Sequence, residues 1–299
     1  MNRFFAQCIL TLTLILALAS CNPNSNSGGG DIVVGSKNYT EQDILGELLA
    51  QQIEATTGLK VARKLHLGGT FVCHNALIAG KLDAYVEYTG TAFTAVLKQN
   101  TIGDPNAVYQ QVKQAYAKQF GLLVTKPLGF NNTFAMIVRG EDARRLHLQT
   151  LSQAAQYTPQ WSAGFGYEFV ERPDGFPGLA KTYGLRFADS PRVMDLGLIY
   201  RALIQKQVDL VAGNSTDGQI ARLGLVVLQD DKHYFPPYQA VPIVRQQTLA
   251  KYPKLLPALQ QLGGLITETE MRRLNYLVEG ELRDVKDVVR EFRQSKGLL

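Results

Sequence analysis

From Ile32 onward, short apolar runs alternate with segments of helical periodicity, and this alternation narrows the possible folds more than any other feature. Residues 32–35 read as a strand. Thr40 is placed to cap the next helix, with Asp43 at the third helical position returning the bond in a variant of the capping box. Ile44, Leu45, Leu48, Leu49 and Ile53 then form one apolar face at helical spacing, and Gly58 suits the C-cap. The pattern predicts a strand over residues 61–67, a helix over 72–79 ending at Gly80, and a strand over 84–87. Strand and helix in alternation imply an α/β lobe with a largely parallel sheet. A second set follows, with strands predicted over 161–165, 208–212 and 225–228 and a helix over 193–205.

One phrase occurs in both sets. ALIAGKLD begins at Ala76 and ALIQKQVD at Ala202, and in that register Tyr88 falls on Asn214. Four identities in eight positions fit either a structural repeat or a general helix-to-strand habit. In both copies a helix delivers a strand that opens into a polar turn, and ligands of open α/β sheets sit beyond such strand ends. Two further segments, GFNNTFAMIVRG (129–140) and YFPPYQAVPIVR (234–245), run from a polar or Pro-rich kink into an apolar strand ending in Arg. They read as crossings between two lobes, near Asn132 and Tyr238. Two crossings make a hinge, and closure about a hinge is the motion expected of a binding protein.

The first thirty residues have another character. Arg3 precedes an apolar run too short to span a bilayer comfortably, in the layout of a secretory signal. The run closes on Leu18-Ala19-Ser20-Cys21, which resembles a bacterial lipobox, and that resemblance implies acylation at Cys21. NPNSNSGGG (22–30) has nothing to bury and reads as a flexible tether. With Cys8 in the signal and Cys21 lipidated, Cys73 has no partner, so an exported chain free of disulfides is expected. Loss of Arg3 takes the formal charge from +5 to +4, without a basic run, which argues against nucleic acid. The 299 residues allow one large domain or two medium ones.

Several long motifs together resemble one family. VGSKNYTEQDILGELLAQ, LGGTFVCHNALIAGKLDAYVEYTGT, LGFNNTFAMIVR, GYEFVERPDGFPGL and DDKHYFPPYQAVPIVR look like the substrate-binding proteins of quaternary-amine ABC importers for glycine betaine, choline and carnitine. The resemblance implies a two-lobed α/β fold of the type II periplasmic-binding-protein class. Each lobe would be a mostly parallel sheet flanked by helices, with the ligand cleft between lobes. Its expected divisions are a signal peptide at 1–20, a tether at 21–30, one lobe from 31–133 with 239–299, and the other from 134–238. It further implies an exported monomer, lipid-anchored to a membrane, that hands a solute to a permease. No P-loop occurs, so ATP hydrolysis would belong to a partner.

A quaternary ammonium has no N–H to donate, so aromatic faces recognise it, each contributing about 0.5–2 kcal/mol when desolvated. The resemblance carries Tyr88 and Tyr238 onto cage positions. Phe134 and Asn214 stand where the family usually has Tyr, so one hydroxyl and one wall are lost. At the acidic end of a betaine, the resemblance places Lys37, Thr91 and Arg172, with Glu168 orienting Arg172. These cations would lie unpaired under choline, which favours a zwitterion. Cys73-His74 lacks a second ligand at metal spacing and reads as structural. No nucleophile–base pair or metal spacing appears, so neither an enzyme nor a cofactor is expected. Larger betaines such as carnitine or histidine betaine, cationic amino acids, and presentation of a solute to a sensor remain open.

Overall fold

The computed structural model describes residues 31–298. The expected signal, lipidation at Cys21 and tether lie outside them. Ten strands form two five-stranded sheets, with helices on both faces of each. The first sheet holds β1 (Ile32–Lys37), β2 (Val61–Gly68), β3 (Ala84–Tyr88), β4 (Leu122–Val124) and, from far along the chain, β10 (Ala240–Arg245), in the order β2-β1-β3-β10-β4. The second is built from β5 (Phe134–Arg139), β6 (Ala163–Phe165), β7 (Arg192–Val193), β8 (Leu210–Asn214) and β9 (Leu225–Leu228), in the order β7-β6-β8-β5-β9.

Each sheet is parallel except for one interior strand. β10 runs antiparallel to both its neighbours, and so does β5. These are the two strands that the chain enters on crossing between lobes. The crossings also pair with each other: Asn132 donates its N–H to the Tyr238 carbonyl at 3.0 Å, and Tyr238 donates to Asn131 Oδ1 at 2.5 Å.

Period-two alternation assigns side chains to the layers. On β3, Ala84, Val86 and Tyr88 join the core that contains helix α1 (Thr40–Thr57), whereas Tyr85 joins the opposite one. Ile44, Leu45, Leu48, Leu49 and Ile53 of α1 are buried against β1 and against Leu274, Val288, Val289 and Phe292 of the C-terminal helices. Truncating one such leucine to alanine costs about 2–5 kcal/mol. In the second lobe Met136 and Val138 face one core, and Ala135 and Ile137 the other.

The repeated phrase is a structural repeat. After each Ala-Leu-Ile the helix ends at a left-handed residue, Gly80 (φ 71°) in one lobe and Lys206 (φ 59°) in the other. The aspartate three positions later ties its strand to the neighbouring one. Asp83 accepts the Val33 N–H at 2.8 Å and donates its own N–H to the Val33 carbonyl at 2.7 Å. Asp209 makes the same pair of bonds with Ser162, at 3.0 and 2.7 Å.

Two local expectations fail. Thr40 is not the cap: the N-cap is Tyr39, without a side-chain bond, because Asp43 is held by Ser36 Oγ at 2.6 Å and His66 Nδ1 at 3.0 Å. The helix expected over 193–205 begins only at Ile199. Arg192–Val193 is instead an edge strand on β6, and Asp195 turns the chain by accepting the Gly197 N–H at 2.8 Å.

Candidate ligand-binding cleft

Between the sheets lies a cavity of about 290 Å³. The strands that end there are the parallel ones, so their C-terminal turns furnish the walls. β1 brings Lys37 and Tyr39, β3 brings Tyr88 and Thr91, and β8 brings Asn214; the turn after β6 brings Glu168 and Arg172, and the crossings bring Phe134 and Tyr238. All eight residues expected at a binding site therefore line one cavity.

The two tyrosines are held by their hydroxyls. Tyr88 donates to Glu41 Oε1 at 2.5 Å and Tyr238 to Asp174 Oδ2 at 2.6 Å, both buried. Burial, then the nearby Glu41 or Asp174, pushes both phenols well above their usual range, so they stay protonated donors. A hydroxyl given to a carboxylate polarises its ring and enriches the π-face, which strengthens its pull on a cation. Phe134 packs edge-on against Phe169 and Tyr238, with ring centroids at 4.8 and 5.9 Å.

The cations differ from expectation: each already has a buried carboxylate. Lys37 Nζ lies 2.5 Å from Glu87 Oε1, which also accepts the Tyr88 N–H, and 4.7 Å from the Tyr88 ring centroid. Arg172 grips Asp174 through Nε and Nη2 at 2.9 and 2.5 Å, and its guanidinium sits 5.0 Å from the Phe134 centroid. Burial alone would raise the Asp174 pKa, but Arg172 overcomes it and holds the carboxyl below its usual range. Choline would therefore leave neither cation unpaired. What remains for a ligand is spare donor capacity. Arg172 also bonds Thr91 Oγ1 at 3.1 Å through Nη2, while Nη1 reaches only Glu168, at 3.9 Å.

Glu168 makes its hydrogen bonds elsewhere. It crosses the cleft to accept the Thr70 N–H at 2.5 Å, capping helix α2 (Thr70–Ile78) from the other lobe. Gly69 makes room for this contact, since a Cβ there would strike the Glu168 carboxylate and the Tyr167 hydroxyl. A second bond between lobes joins Thr216 Oγ1 to Glu41 Oε2 at 2.5 Å. Asn214 pairs with Phe134 across β8 and β5, and its N–H and Nδ2 both point to Asp217.

Sequence reasoning missed Tyr39, Asn132, Tyr167, Phe169 and Asp195 on the walls. Four of these stand inside quoted motifs, in KNYTEQD, GFNNTF and GYEFVE, where their polar-turn setting was a usable signal. Cys73 and His74 are buried in a core. Burial pushes the Cys73 thiol up to about 12 and lowers the His74 pKa, and the His74 ring packs edge-on against Tyr116 and Phe120. Among the described residues no cluster of three His, Cys, Asp or Glu is arranged to hold a metal.

The profile of the substrate-binding domain of ABC-type glycine betaine transport systems matches residues 30–295. The chain is 35% identical over 268 residues to the carnitine transport binding protein OpuCC of Listeria monocytogenes, covering 89% of this chain and 87% of that one. It is 37% identical over 268 residues to the ergothioneine transport permease/ergothioneine binding protein EgtU of Helicobacter pylori, covering 89% of this chain but spanning only 48% of that longer protein. A crystal structure of a glycine betaine/carnitine/choline ABC transporter protein superposes with a TM-score of 0.73 at 34% identity, over 89% of this chain and 99% of the other.

Proposed function

This chain belongs to the substrate-binding domain family of ABC-type glycine betaine transport systems, and on that premise we propose that it captures a quaternary-ammonium zwitterion between its lobes and delivers it to a membrane permease. One observation carries the reading: two tyrosines line the cleft with their hydroxyls spent on buried carboxylates. That leaves fixed, electron-rich rings for a cation that has no N–H. Tyr88, Tyr238 and Phe134 take the ammonium. The carboxylate end docks at the spare donors of Arg172 and Lys37 with Thr91, and Glu168 holds the lobes closed above it. The lobes divide as 31–133 with 239–299, and 134–238, and the hinge lies at the paired crossings. The chain acts as an exported monomer held to the membrane by lipid on Cys21, and a separate ATPase drives the permease; it performs no catalysis itself.

A thermal-shift panel of glycine betaine, carnitine, histidine betaine, choline and arginine on the purified protein tests this. We expect the betaines to raise Tm more than choline does, and arginine to have no effect. Tyr238→Ala should weaken the best betaine at least tenfold by calorimetry, about 1.4 kcal/mol or more. A shift with arginine and with no quaternary compound would reject the reading.

A further inference from the structure

The cleft does not end at Asn214. Beyond it opens a second chamber of about 480 Å³, and Asn38, Tyr39, Asp195, Leu196 and Asn214 line both spaces. Asn214 thus stands at the throat between them, at the C-terminal end of β8.

Its side chain is held in one orientation. Asp217 accepts the Asn214 backbone N–H at 3.0 Å and lies 3.3 and 3.5 Å from Asn214 Nδ2; the same carboxyl takes the Tyr200 hydroxyl at 2.5 Å. The amide nitrogen is the Asn214 atom turned to Asp217. The amide oxygen is left over. Among the described residues nothing donates to it, although Asn214 lines the cavity and is only partly buried.

Resting on the function proposed above, we infer that Asn214 is a specificity-determining residue whose carbonyl oxygen accepts a hydrogen bond from an O–H or N–H on the ligand. The ligand class is then an elongated betaine that carries a donor group reaching towards the second chamber: a hydroxylated betaine, or one with an N–H heteroaromatic ring. A compact betaine whose only polar groups are its ammonium and carboxylate leaves this acceptor unused. A longer one without a donor buries it unpaired, and sites built around a hydrogen bond discriminate strongly against analogues that lack it.

The test uses matched ligand pairs and calorimetry. Carnitine is compared with 4-(trimethylammonio)butanoate, which lacks only the hydroxyl, and histidine betaine with its ring-N-methylated form. The native protein should prefer the donor-bearing member of at least one pair by tenfold or more. Asn214→Leu, of similar size and without the acceptor, should bring that ratio to within threefold of one. Equal affinities within both pairs in the native protein, a measurement that needs no variant, would overturn the inference while leaving the proposed function standing. So would a preference that survives in Asn214→Leu. Failure of every quaternary compound to bind would overturn both.

Discussion

Glu41 is a fully buried carboxylate served by four donors from four parts of the chain. Tyr88 reaches it from β3, Asn132 from a crossing, Thr216 from the second lobe and Asn275 from the helix Glu268–Glu279. Burial raises its pKa, and the four bonds only partly offset this. Glu41→Gln keeps the shape but turns one acceptor into a donor that faces donors. We expect a loss of about 1–3 kcal/mol in thermal or urea unfolding, together with weaker ligand binding as the Tyr88 ring loosens. Thr216→Val separates the two effects, since it removes only one of the bonds between lobes: calorimetry should show weaker binding, with unfolding changed by less than for Glu41→Gln. The residue types of the cleft could be read from sequence because the ligand's chemistry restricts them to aromatics and cations in turns after strands. Their counter-charges could not. Asp174 is only two residues from Arg172, but Glu87 meets Lys37 from the neighbouring strand of the same sheet, so that pairing depends on the register of β1 and β3.

Among the elements, the repeated Ala-Leu-Ile phrase delivers the same helix end and the same Asp clamp to both sheets. The two copies differ where the helix turns left-handed. Gly80 lies against the Arg245 guanidinium, whereas Lys206 tolerates the same backbone at an exposed site. Gly80→Ala should therefore cost about 1 kcal/mol, visible as a lowered Tm, with ligand affinity unaffected. Helical and strand periodicity made β1, β3, β9 and the buried face of α1 legible. They failed where a tertiary partner overrode a local rule. Asp43 left the capping box for Ser36 and His66, and the apolar residues from Val193 onward were divided between an edge strand, which ends at Val193, and a turn governed by Asp195.

At the scale of the molecule, the lobes also meet at the wall of the second chamber, where Glu279 at the end of the helix Glu268–Glu279 faces Asp217 of the second lobe. Burial and then Asp217 push the Glu279 carboxyl up to about 7, while Thr40 and the Gln219 N–H pull it down; burial raises Asp217 as well. A carboxyl whose folded pKa exceeds its unfolded value of about 4.5 binds its proton more tightly in the native state, so this contribution to stability grows as pH falls from above 7 towards 4.5. Ligand affinity, which needs the lobes together, should rise from pH 7.5 to 5.5 with uptake of a proton, and Glu279→Gln should flatten the profile in calorimetry. The reversed interior strands have a consequence of another kind, in the order of synthesis. All strands of the second sheet lie between residues 134 and 228, so that half is complete as soon as it has been made. The first sheet holds the earliest strands yet must wait: β4 has no neighbour but β10, and the helices that cover α1 are later still. The half that begins first is therefore finished last. A chain stopped at residue 235 should yield, under limited proteolysis, a resistant fragment from the later half, while the residues translated before it are digested.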